Sequence, residues 1–261
     1  IGGYIGGDVV GDIVTSGMLE DSIALLLDLG TNGEIVLKKG EEIYATSVPA
    51  GPAFEGVGLS AGMLATEGAI NRFFSVKGRI EYTTLGNVEP KGICGSGYID
   101  LLAELLRNGV LQKNGKLKDG PYVKKKGGIL EYVVEEGIGL TQKDIRKLQL
   151  AIAAFKTGLH ILFSKTKTLP KDLERVYVAG SFGYSLNPYN AIEIGLLPKV
   201  ELSKVEFIGN GSLAGAILYL VSEEVREECK NLYGKIKVLE APLEKDFQYL
   251  FLKNLAFEPI G

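Results

Sequence analysis

The chain has 261 residues, of which 46% are hydrophobic and 23% charged. That composition builds a packed core and excludes a disordered or low-complexity segment, and at roughly 150 residues per domain the length fits one large domain or two small ones. Lysine and arginine total 29 against 32 acidic residues, a net charge of −3, so no general attraction draws the chain to nucleic acid or anionic lipid.

Cys94 and Cys229 are the two cysteines, too few for a disulfide framework, a four-cysteine zinc site or an iron–sulfur cluster held by cysteine alone. The single histidine, His160, sits in the apolar run LHILF and reads as a packed or half-exposed helix residue. A Ser-His-Asp triad and a histidine-rich metal site are therefore disfavoured. No apolar stretch approaches the roughly 20 residues of a membrane span, and the first residues lack a charged region ahead of an apolar one. These features predict a cytoplasmic protein.

The 35 glycines cluster beside apolar runs: GGYIGGD at the start, DLGTNGE (28–34), PAGPAFEG (49–56), GICGSG (92–97), AGSFG (179–183) and GNGSLAGA (209–216). Glycine turns at strand ends let main-chain N–H groups approach a ligand, which favours one bearing phosphates; each also serves equally well as a tight turn or helix cap. In chain order, IALLLDL (23–29) predicts a buried strand, and IVLKKGEEIYATS (35–47) predicts two strands around a polar turn. Together they make a hairpin with DLGTNGE at one tip. An isolated carboxylate ending a buried strand is costly unless paired, which singles out Asp28.

GYIDLLAELLR (97–107) has helical spacing and ends in Asn-Gly. The stretch 109–140 alternates short apolar pieces with Lys/Gly-rich ones, and KKKGG (124–128) reads as a solvated loop. Thr141 with Asp144 predicts an N-cap and a long helix through about Ser164. ERVYVA (174–179) and VEFIGN (205–210) predict buried strands, the second followed by one helix over 212–230. Strand, glycine turn and helix in succession define an α/β domain whose ligand sits at the carboxyl ends of strands. No strand leads into a dinucleotide fingerprint, and no Walker A lysine motif is present. Cys94 reads as a small packing residue, and 49–56 as a rigid support for the hairpin or part of a cleft.

An Asp-x-Gly-Thr tip, a strand ending in Ala-Gly-x-Phe-Gly and a strand ending in Gly-Asn before a Gly-Ala helix resemble the second half of the actin-like ATPase (ASKHA) superfamily, with its ribonuclease H-like α/β fold. Within it, DLGTNGE, PAGPAFEG, GICGSGYID, TQKDIRKLQLA, VYVAGSFG, IGLLP and IGNGSLAGA resemble the reductive activators of corrinoid proteins. The resemblance runs from about Gly6 to Phe257. It implies a single C-terminal ASKHA-type domain over residues 1–261 with an inserted helical region at roughly 57–140. The family's ferredoxin-like domain and first actin-like half would lie outside this chain, leaving no iron–sulfur cluster in it.

The resemblance implies ATP and Mg²⁺ as cofactors and a corrinoid protein as partner, reached through the full-length parent, with homo-oligomerisation through any apolar surface left uncovered. Carried over by position, Gly30, Thr31, Asn32 and Gly33 would offer donors to β- and γ-phosphates, with Asp28 and Glu34 as the acids there. Asp28, the catalytic candidate, would position Mg²⁺ or its waters, and Asp8 would face the metal. Gly180 and Gly183 would admit base and ribose, Ser181 would bond a sugar or phosphate oxygen, and Phe182 would pack. Asn210 matches the second connecting motif, or simply supports the turn before its helix. The competing readings are a sugar- or acyl-kinase-like phosphotransferase half and a non-catalytic module that binds a corrinoid protein.

Overall fold

The computed structural model describes residues 5–180 and 186–261. Its centre is a six-stranded sheet in the order β11-β10-β1-β2-β3-β12. Strands β1 (Ile23–Leu29), β2 (Gly33–Lys39) and β3 (Glu42–Val48) form the antiparallel hairpins expected from their apolar runs. β10 (Arg175–Ala179) runs parallel to β1, β11 (Val205–Gly209) parallel to β10, and β12 (Ile236–Val238) parallel to β3 on the opposite edge.

Side chains alternate across a strand, so each face of the sheet builds its own core. Leu25, Leu27, Leu29, Ile35 and Leu37 point to the face covered by α3 (Gln142–Thr166), a 25-residue helix. Its start is fixed by the expected cap: Thr141 accepts from the Asp144 N–H, and the Asp144 carboxylate accepts from the Thr141 N–H. Ala24, Leu26 and Val36 point to the other face, against Val9 and Ile13 of α1 (Gly7–Ser16). Both side chains are fully buried, each contributing about 1.5–3 kcal/mol of transfer free energy. On α3, Lys156 is buried and donates to the Ala256 and Glu258 carbonyls, clamping the C-terminal segment to the core.

Three local expectations change. The region 57–140 is mainly β-structure. β4 (Ala69–Val76), β5 (Arg79–Thr84) and β6 (Gly92–Ile93) form one three-stranded sheet, and β7 (Val123–Lys126), β8 (Ile129–Glu135) and β9 (Ile138–Thr141) another; α2 (Gly95–Arg107) is the helical part. Two-residue turns drive this pairing. Lys77-Gly78 joins β4 to β5 and Gly127-Gly128 joins β7 to β8, all four residues at positive φ, as mirror-image hairpin turns require. The lysine run is consequently an edge strand, not a loop, and charge on an edge discourages pairing with other chains.

The helix expected over 212–230 is two helices, α5 (Gly211–Val221) and α6 (Glu223–Leu232). Ser222 leaves the helical region at φ −116°, ψ 125° and its side chain accepts from the Val225 N–H, while Glu223 and Glu224 complement the positive end of the new helix. Two further helices, α4 (Pro188–Glu193) and α7 (Phe247–Lys253), complete the order.

Candidate functional site

The loop between β1 and β2 lies at one end of the sheet, on the tip predicted for DLGTNGE. Asp28 is the last-but-one residue of β1 and pairs in register with Ala179 of β10 and Glu34 of β2. By alternation, Asp28 and Glu34 share the face of Leu26 and Val36, the face that α1 covers. Asp8 and Asp12, four residues apart, lie on one side of that helix, so four acids from three elements gather there.

Burial and mutual repulsion set their ionisation. Asp12 is fully buried; one carboxylate oxygen accepts from the Ser212 hydroxyl at 3.3 Å, and the other is buried without an ordinary donor, beside the Asp28 carboxyl. Desolvation first, and the Asp28 charge second, push Asp12 up to about 8. Burial also raises Asp28, with the charges of Asp8 and Glu55 adding to it and the hydrogen bond with Asp12 opposing. A proton shared by the Asp12–Asp28 pair reconciles their burial with their proximity. Glu34 is raised to about 7 by burial and by Asp28 and Asp8, against a 3.1 Å hydrogen bond from the Ser47 hydroxyl.

The charges acting on Asp28 and Glu34 are other carboxylates. An all-oxygen, all-acid donor set of this kind suits a hard cation. Among the described residues no three acids converge as a closed ligand set.

The glycines of the loop have separate explanations. A Cβ on Gly33 would lie 2.2 Å from Phe155 Cζ, so Gly33 is required by the close approach of α3. Gly180, at φ +98°, donates its N–H to Gly209 O at 2.8 Å; a Cβ there would meet Leu29 O at 3.0 Å and Asp28 Oδ1 at 3.1 Å. Gly180 is thus in close contact with the end of β1, and a side chain there would press on Leu29 O and on the Asp28 carboxylate. Asn210 caps α5, its side chain accepting from the Leu213 N–H at 3.0 Å, the supporting role weighed for it. Ser181, Phe182 and Gly183 lie outside the described residues.

Thr31 and Asn32 are exposed at the tip. A cavity of about 720 Å³ opens beside the tip, lined by Asp8, Asn32, Glu34 and Ser47 on one side and by Val238, Leu239 and Pro242 on the other. Neither Gly180 nor Asn210 lines it.

Of the expected site residues, the structure brings Asp8, Asp28 and Glu34 to one end of the sheet with the Gly30–Gly33 loop. Gly180 and Asn210 follow β10 and β11 at the adjoining strand ends. Asp12 and Glu55 were missed. Asp12 carried a signal, its spacing from Asp8, which is legible only if 7–16 is read as a helix.

The α1–α5 crossing closes the site from below. A Cβ on Gly215 would fall 2.3 Å from Gly11 Cα, and one on Gly11 would fall 3.1 Å from Ser212 Cα. Glycine at 215 is required by this close approach, and a side chain at 11 would press on the Ser212 backbone. A hairpin-plus-parallel-strand sheet flanked by helices on both faces, with a crossed helix pair under an acidic loop, is the fold of the actin-like ASKHA superfamily.

Comparison with known proteins narrows this to one family. Residues 22–260 match the model of the C-terminal domain of RACo, the ASKHA domain, and the chain belongs to that family. It is 37% identical over 276 residues to the corrinoid activation enzyme RamQ of Eubacterium limosum, covering 98% of this chain and 46% of that protein. It is 31% identical over 280 residues to the [Co(II) methylated amine-specific corrinoid protein] reductase of Methanosarcina barkeri, covering 97% and 49%. The solved structure of a reductive activator for corrinoid,iron-sulfur protein superposes with a TM-score of 0.91 at 35% identity, over 98% of this chain and 43% of that one. The chain spans about half the length of the curated relatives it matches. Among the described residues no helix is long and apolar enough to cross a membrane.

Proposed function

We propose that this domain binds ATP with Mg²⁺ at the β1–β2 loop, within a protein that couples ATP to reductive activation of a corrinoid partner. The observation that carries the reading is the gathering of Asp8, Asp28 and Glu34 with the Gly30–Gly33 loop on an ASKHA sheet, with Gly180 and Asn210 at the neighbouring strand ends. Backbone N–H groups of the loop would face the phosphates, and Asp28 and Asp8 would hold the cation directly or through its waters. When bound, Mg²⁺ supplies the positive charge that an acidic site needs before it can accept a nucleotide anion.

The names of the relatives supply the corrinoid partner and the reductive direction. The chain spans about half the length of those relatives, and the corrinoid-directed activity is proposed for the whole protein. Isothermal titration with ATP and Mg²⁺ tests the reading. Saturable binding that requires Mg²⁺ and is lost in Asp28→Asn supports it; a folded protein that takes up no ATP at millimolar concentration would leave an interaction module.

A further inference from the structure

The segment 49–56 holds the tip of the loop by two hydrogen bonds. The Gly51 N–H donates to Thr31 O at 2.7 Å, and the Thr31 hydroxyl donates to Glu55 Oε1 at 2.9 Å. Glu55 ends a one-turn 3₁₀ helix, Pro52–Glu55, bounded by Gly51 at φ +74° and Gly56 at φ +77°. The turn is anchored from beneath: Ala53 and Phe54 are buried, and the Phe54 ring packs on Phe155 of α3 with centroids 5.8 Å apart. Glu55 is therefore delivered to Thr31 by a fixed support.

Three features make this contact odd for a purely structural bond. The second carboxylate oxygen of Glu55 is buried without a partner. The Glu55 charge acts on Asp28 and raises it, so the carboxylate adds repulsion to an acid cluster. A threonine hydroxyl also has one proton; while Glu55 holds it, Thr31 has none to give to a phosphate oxygen. A carboxylate and a phosphoryl oxygen are both anionic acceptors and compete for the same donor.

We propose that Glu55 is an internal stand-in for a nucleotide's terminal phosphate: it occupies the Thr31 hydroxyl until a phosphate displaces it, and the 49–56 turn thereby senses occupancy of the loop. This rests on the reading of Gly30–Gly33 as a phosphate loop. Nucleotide binding then breaks one hydrogen bond to a carboxylate and forms one to a phosphate, and it releases Glu55 from the tip. The competition lowers apparent affinity and gives the chain a contact whose state depends on whether a phosphate is present.

The test is titration of MgATP against the parent, Glu55→Ala, Thr31→Val and the double variant, with urea midpoints confirming that each is folded. Displacement predicts that Glu55→Ala binds MgATP about tenfold more tightly than the parent, and that the gain largely disappears in the Thr31→Val background, where no proton is contested. A gain of equal size in both backgrounds would mean charge repulsion alone and overturn the displacement. Binding unchanged or weakened by Glu55→Ala in a parent that does bind MgATP would sink the inference while leaving the proposed function standing. Absence of binding in both the parent and Glu55→Ala would sink the phosphate-loop reading and this inference with it.

Discussion

Helices α1 and α5 cross beneath the site with their backbones almost in contact. A Cβ on Gly215 would sit 2.3 Å from Gly11 Cα and 2.7 Å from Gly11 O. Carbon atoms pack at about 3.5–4 Å, so Gly215→Ala requires α1 and α5 to part by roughly 1.5 Å at the crossing. Both obstructing atoms are backbone, and neither can rotate away. Overpacking of this kind costs about 1–3 kcal/mol, partly offset for alanine by the ~1 kcal/mol it gains over glycine in a helix. Gly215→Val adds two more methyl groups without that compensation and belongs at or above the upper end. For a chain of this size, about 2–3 kcal/mol lowers Tm by roughly 5–10 °C. Thermal and urea unfolding followed by circular dichroism would read the loss. Gly7→Ala is the internal control: it lies on the partner helix α1 with nothing within 4 Å of its Cβ, and it should leave stability unchanged or slightly raised. Because α1 carries Asp8 and Asp12, parting the helices also breaks the Ser212–Asp12 contact, and Gly215→Val should weaken any MgATP binding that the parent shows. A Gly215→Val protein as stable as the parent would refute the close-crossing argument.

The remaining predictions concern charge, the loop and the surface. Asp12 and Glu34 have folded pKa values raised above their unfolded ones, so between about pH 4 and 8 the native state binds more protons than the unfolded state. Stability without added cation should therefore fall as pH rises through that window, by up to about 1.4 kcal/mol per pH unit for each proton. Urea midpoints from pH 5 to 8.5 would show the slope, Asp12→Asn should flatten it, and a midpoint that climbs with pH would contradict the buried acid pair. Gly180→Val should cost stability as well as ligand binding, since its φ of +98° and the contacts with Leu29 O and Asp28 strain any side chain; loss of binding with no change in unfolding midpoint would show that the neighbouring loop yields freely. On α5, Leu213, Ile217, Leu220 and Val221 form an exposed stripe at helical spacing, opposite the stripe of Gly211 and Gly215. Light scattering should show concentration-dependent self-association that Leu213→Lys with Leu220→Lys abolishes, and a parent that stays monomeric at all concentrations would count against it.

Elements that reveal themselves locally were legible in the sequence. β1, β2 and β3 combine apolar runs with a polar turn, and α3 begins at a threonine followed three residues later by aspartate, so short-range chemistry alone defines their ends. Asp28 stood out for a similar reason: a lone acid closing an apolar strand needs a purpose wherever it folds. Where glycine answered to tertiary contacts, the same local rules misled. GGDVVGDIV gives no clear helix signal because glycine disfavours helix, yet Gly11 is in α1, where α5 passes within backbone contact of it. Without that helix nothing in the sequence sets Asp12 on the same side as Asp8.

Glu55 was hidden by a different cause. It meets Thr31 across 24 residues of sequence, and nothing in either motif alone predicts that the two glycine-rich segments touch. The charge of the lysine run suggests a loop, but the turn decides: Gly127-Gly128 folds β7 back on β8 whatever the preceding side chains carry. What separates a packing glycine such as Gly33, answered by Phe155, from a glycine that also borders the acid cluster, such as Gly180, is the identity of the atom a Cβ would strike. For Gly180 that atom includes the Asp28 carboxylate. Its backbone is therefore coupled to the end of β1, and a side chain at Gly180 presses directly on Asp28.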